Sequence, residues 1–157
     1  MLPHSDAPHF EEWQQALALQ MTTLDENTII IAHSLGCLAA LHYLSSKLRE
    51  RRIKAIFCIA GFKAALKSLP ELSGFIAQAK LDSGILHSHI ASRVVMFSNN
   101  DSYVPPPLAL TFGHFLSAEV LEVKRAGHFM RENGYAEFEL LLNTLKPLLQ
   151  QQAVAQS

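Results

Sequence analysis

From Pro8 onward the apolar residues Phe10, Trp13, Ala16, Leu17 and Met21 recur at helical spacing, with Glu11, Glu12, Gln14 and Gln15 between them. That period predicts an amphipathic helix. The run Thr28, Ile29, Ile30, Ile31, Ala32 is continuous and β-branched, as in a parallel strand covered on both faces, and a helical period resumes over residues 36–48. Residues 53–60 are a second buried-strand pattern, and residues 70–80 predict a helix opened by Pro70. Residues 93–98 predict a third strand that ends in Asn99, Asn100, Asp101 and Ser102, after which Pro105, Pro106 and Pro107 open a further helix. Residues 118–123 predict a fourth strand. Residues 135–149 predict a last amphipathic helix with Phe138, Leu141, Leu142, Leu145 and Leu148 on its inner face.

Strands that alternate with helices imply an α/β fold of three layers, αβα, around a parallel sheet of about four strands. Ligands in such sheets gather at the carboxyl ends of the strands. At 157 residues and 49% hydrophobic, the chain suits one domain over residues 1–150, followed by a short polar tail over residues 151–157. Thirteen Lys and Arg against fourteen Asp and Glu create no field that would gather nucleic acid, and no apolar run approaches the ~20 residues that span a bilayer. The start, Met1-Leu2-Pro3-His4-Ser5-Asp6, lacks the basic and apolar regions of a secretory signal, so a cytoplasmic setting is expected. Cys37 and Cys58 lie in apolar segments without metal or redox spacing and read as small buried hydrophobes.

Three predicted strand ends carry Ser34, Asp101 and His128, which puts a hydroxyl, a carboxylate and an imidazole on one edge of the sheet. A serine becomes a useful nucleophile when an imidazole takes its proton, and the imidazole needs a carboxylate to fix its tautomer. The segment Ala32-His33-Ser34-Leu35-Gly36 differs from G-x-S-x-G only at its first position, and its small residues suit a sharp strand-to-helix turn. Taken singly, each residue has a plainer reading. Ser34 suits a helix N-cap, Asp101 an Asx-turn, and His128 is one of eight histidines. The chain order Ser, Asp, His is that of α/β-hydrolases.

These pieces, with Leu2-Pro3, Phe10-Glu11-Glu12-Trp13, Ser98-Asn99-Asn100-Asp101-Ser102-Tyr103-Val104-Pro105 and Ala126-Gly127-His128-Phe129, resemble the small serine hydrolases of the retinoblastoma-binding protein 9 and YdeN type. The resemblance covers nearly the whole chain. It implies an α/β-hydrolase fold with little or no lid, Ser34 as nucleophile, Asp101 as the orienting acid and His128 as general base. It further implies hydrolysis of ester-type bonds in a small-molecule acyl substrate, without metal or organic cofactor. The amide of Leu35 is the expected oxyanion donor, and His33, Tyr103, Phe129 and Met130 are candidates for the substrate pocket.

One departure from the family pattern carries consequences. Its members usually begin with a further strand, whose loop supplies the second oxyanion donor, and loss of such a donor costs about 3 kcal/mol. Without that strand the edge over residues 28–32 is Ile-rich and unpaired. Two expectations follow: the natural protein starts upstream of Met1, or the chain self-associates through this edge. The alternative to catalysis is a hydrolase-like module that binds a protein partner. Among the remaining features, His87 and His89 form a weak metal-like pair expected in a solvated loop, with no metal site implied, and the basic residues 47–52 are expected to close a helix.

Overall fold

A computed structural model describes residues 2–154 of the chain. The elements are α1 (Phe10–Gln20), β1 (Ile29–His33), α2 (Leu35–Lys47), β2 (Ile53–Ile59), a 3₁₀ turn (Pro70–Leu72) running into α3 (Ser73–Gln78), and α4 (Ser83–His89). Then come β3 (Ile90–Ser98), α5 (Pro106–Phe115), β4 (Glu119–Val123), a 3₁₀ turn (Arg131–Asn133) and α6 (Glu139–Val154). The four strands lie in the order β1-β2-β3-β4, all parallel, with Ile31 opposite Phe57, Phe57 opposite Val94, and Val94 opposite Glu119.

A sheet that grows in one direction through right-handed crossovers places every connecting helix on the same face. One core therefore joins α1, α2, α4 and α5 to that face through Trp13, Leu38, Leu41, Leu86, Phe112 and the inward residues Ile30, Ile56 and Val95. Among the described residues only α6, which follows the last strand, crosses to the other face. There Leu141, Leu145 and Leu148 pack on Phe57, Val94 and Met96. Helices on both faces make the three-layer α/β architecture that the alternation predicts.

The details differ in four places. The helix expected over residues 70–80 is split at Ser73, and His87 and His89 sit in α4 instead of a loop. His87 Nε2 hydrogen-bonds the carbonyl of Phe115 at 2.7 Å, which ties α4 to the end of α5. The last helix begins at Glu139, because Phe129, Tyr135 and Phe138 stack on one another before it with ring centroids 5.0 to 5.4 Å apart. It continues to Val154, so residues 151–154 of the expected tail are helical, while residues 155–157 lie outside the described part. Among the described residues no helix is long and apolar enough to cross a membrane.

Candidate active site

Ser34 occupies the turn between β1 and α2 with φ 52° and ψ −126°. Its amide donates to the carbonyl of Ile59 at 2.8 Å, which pins the turn to the end of β2. The side chain makes no capping bond to α2. Its Oγ instead lies 2.9 Å from His128 Nε2, so Ser34 holds the N-cap position of α2 without capping it. Leu35 is the first helical residue, and its amide has no acceptor within α2, as at any helix N-terminus. A Cβ at Gly36 would meet only Leu2 Cδ1, at 4.0 Å. The missing side chain leaves room at the cleft.

Asp101 combines the plain and the chemical readings. Its Oδ1 accepts the amides of Tyr103 at 2.8 Å and Val104 at 3.0 Å, which closes the turn after β3. Its Oδ2 lies 2.8 Å from His128 Nδ1, and the carboxylate side chain is only 2% exposed. Burial pushes its pKa up, but the hydrogen bonds from His128 and from the Val104 and Tyr103 amides together outweigh it, and the group titrates below the ordinary carboxyl range. The ionised Oδ2 accepts from Nδ1–H of His128, which leaves the Nε2 lone pair to accept the Ser34 hydroxyl.

His128 is held by its neighbours His33 and Tyr103 as well as by Asp101. His33 Nε2–H donates to the His128 carbonyl at 2.8 Å, with the two rings 4.9 Å apart, and the Tyr103 ring meets the other imidazole edge at 4.9 Å. Burial lowers the pKa of His33 against the opposing pull of that carbonyl, so its ring stays neutral beside His128. The segment after β3 also grips the loop that carries His128. Asn99 Oδ1 accepts the Arg125 amide at 2.9 Å, Ser98 Oγ that of Ala126 at 2.9 Å, and Asn100 Oδ1 that of Gly127 at 2.8 Å. Asn133 Oδ1 accepts the amides of His128 and Met130 at 3.2 and 3.1 Å. Nothing in the local sequence pattern marks Ser98, Asn99, Asn100 or Asn133 for this task.

The cleft at Ser34 has a volume of about 510 Å³ and includes His33, Leu35, His128 and Met130. Its apolar walls, Leu2, Pro8, Trp13, Leu69 and Leu72, come from the N-terminal segment, α1 and the chain around the 3₁₀ turn at Pro70, all distant in sequence from Ser34 and His128. Two expected pocket residues are absent from the lining. Phe129, at φ 55°, turns beneath the sheet into the core around Tyr135 and Phe138, and Tyr103 packs on the His128 ring outside the cleft. Among the described residues no cluster of His, Cys, Asp and Glu could hold a metal ion. Both cysteines are buried and free, and burial pushes the Cys37 thiol well above its ordinary range.

Residues 3–147 match a family model described as serine hydrolase. The chain is 30% identical over 144 residues to YdeN of Bacillus subtilis, named as a hydrolase; the match covers 92% of this chain and 75% of YdeN. The crystal structure of the ydeN gene product superposes with a TM-score of 0.89 at 29% identity, over 95% of this chain and 80% of that one. A YdeN-like hydrolase from Pectobacterium atrosepticum has a TM-score of 0.69 at 20% identity, covering 90% and 69% of the two chains. A meta-cleavage product hydrolase from Pseudomonas fluorescens shares the fold, with a TM-score of 0.64 at 10% identity over 97% and 75%.

Proposed function

The chain belongs to the serine hydrolase family, and from that membership we propose that it hydrolyses a small ester, thioester or amide through an acyl-Ser34 intermediate. The observation that carries this reading is the hydrogen-bonded chain from Ser34 Oγ to His128 Nε2 at 2.9 Å and from His128 Nδ1 to Asp101 Oδ2 at 2.8 Å. Ser34 Oγ attacks the carbonyl carbon as its proton passes to His128 Nε2. The carbonyl oxygen takes the negative charge and faces the Leu35 amide at the head of α2, where the helix dipole adds to the stabilisation. Collapse of this intermediate breaks the bond to the leaving group, which receives the proton from His128. Water then attacks the acyl carbon, gives a proton to His128, and Ser34 departs with that proton restored. Asp101, kept ionised, stabilises the imidazolium at both stages.

The test is labelling with a fluorophosphonate probe, followed by mass spectrometry, on the chain and on Ser34→Ala. The expected outcome is one adduct, on Ser34, absent from the variant, together with loss of activated-ester hydrolysis by about four powers of ten or more. A folded protein that takes no label and turns over no ester would overturn the reading in favour of a hydrolase-like module that binds a protein partner.

A further inference from the structure

The cleft at Ser34 does not end at its own walls. A second cleft of about 490 Å³ adjoins it, and Ser5, Pro8, Leu69 and Leu72 line both. These shared residues come from the N-terminal segment and from the turn that leads into α3. The second cleft continues to Phe75, and Asp6 and Glu71 stand exposed on its border. Among the described residues, neither lining contains a Lys or an Arg.

We infer that the two clefts form one groove that takes an aliphatic limb of the substrate adjoining the scissile carbonyl, and that the far end of this limb is neutral or cationic. The inference rests on the acyl-Ser34 reading and specifies what that site accepts. An apolar limb between Pro8, Leu69 and Leu72 gains free energy with each methylene removed from water. A terminal carboxylate would lie beside Asp6 and Glu71 with no cation on the lining to offset the repulsion, so the groove selects against anions by charge. Leu69 and Leu72, at the junction of the clefts, then determine how long a limb is accepted.

The experiment compares kcat/KM over p-nitrophenyl acetate, butyrate, hexanoate and octanoate, and over acetate esters of alcohols of the same range. One series is expected to rise by roughly threefold to fourfold per methylene until the groove is filled, and which series rises tells whether the limb is acyl or alcohol. Esters ending in an ammonium group are expected to exceed those ending in a carboxylate by about twofold to fivefold, less at high salt. His9 also borders the second cleft, so the charge comparison is repeated on His9→Gln. Leu72→Trp is expected to lower the ratio for long over short limbs by about tenfold, the worth of a few buried methylenes. Glu71→Lys, at an exposed position, leaves one negative and one positive charge on the border and is expected to abolish the charge preference without touching the core. Flat kcat/KM across both series, with Ser34 still labelled by fluorophosphonate, would overturn the groove while leaving the acyl-enzyme intact. Absence of labelling would overturn the acyl-Ser34 reading and the groove with it.

Discussion

The Asn100 side-chain oxygen accepts the Gly127 amide at 2.8 Å, next to the contact in which Asp101 meets His128. Ser98 Oγ–H donates to the same oxygen at 2.8 Å, so one amide side chain joins the end of β3 to the loop after β4. The base is thereby placed by the segment that carries its acid. Asn100→Ala is expected to lower kcat by about tenfold to a hundredfold with little change in KM, because small misplacements of a reacting group are costly. The accompanying loss of stability, about 1–3 kcal/mol for the two missing hydrogen bonds, leaves the protein folded. Asn100→Asp keeps an acceptor for both donors and is expected to restore part of kcat. Steady-state kinetics beside denaturant unfolding checks both variants, and equal losses in KM and kcat would count against the positioning role.

Acid should destabilise the fold in two separate steps. His33 has a lowered pKa in the folded protein, so below the ordinary imidazole value of about 6.5 the unfolded chain takes up the proton first and stability falls. Asp101 has a lowered pKa as well, so its contribution is fully present above the ordinary carboxyl value of about 3.9 and is lost as pH falls through its folded-state value. His33→Gln is therefore expected to flatten the upper step, and Asp101→Asn the lower one. Thermal unfolding from pH 8 downward measures both, and an unchanged upper step in His33→Gln would refute the assignment.

Much of this site was legible because strand ends are. The β-branched run at residues 28–32 marks β1 to within a residue, and the polar residues that interrupt apolar runs at Ser34, Asp101 and His128 fall where the chain leaves the sheet. The grip on the His128 loop was not legible. It depends on which side-chain oxygen meets which amide across 26 to 28 residues of sequence. Adjacency misled at Phe129, since one residue at positive φ sends its ring through to the opposite face from the cleft. In α4 the helix is too short to show a period. Its one local signal is Asp82, whose Oδ1 caps the Ile85 amide at 3.0 Å.

The outer edge of β1 is expected to bring copies of the chain together. The Thr28 carbonyl and the Ser34 amide both bond toward β2, so the alternation of a parallel ladder turns the backbone groups of Ile29, Ile31 and His33 outward. Ile31 is half exposed on the same strand, and no charged residue interrupts Ile29–His33. Antiparallel pairing of two such edges about a two-fold axis would close both at once. Light scattering should show a mass that rises with concentration, and Ile31→Lys should return it to the monomer. A single monomeric mass at every concentration would end this expectation.

Backbone strain at Ser34 leads to a prediction whose sign opposes the usual rule. At most positions glycine is less stable than alanine by about 0.5–1 kcal/mol, because it has more freedom to lose on folding. Ser34, at φ 52° and ψ −126°, sits where a Cβ is disfavoured, a conformation that costs about 1–3 kcal/mol in a non-glycine residue. Its side chain gives no capping bond in return, and its bond to His128 is lost equally in Ser34→Ala and Ser34→Gly. The comparison of those two variants therefore isolates the strain. Ser34→Gly is expected to exceed Ser34→Ala in stability by about 1 kcal/mol in denaturant unfolding, while both lose the fluorophosphonate adduct. A more stable alanine variant would show that the turn is relaxed, and that its geometry is held without stored strain.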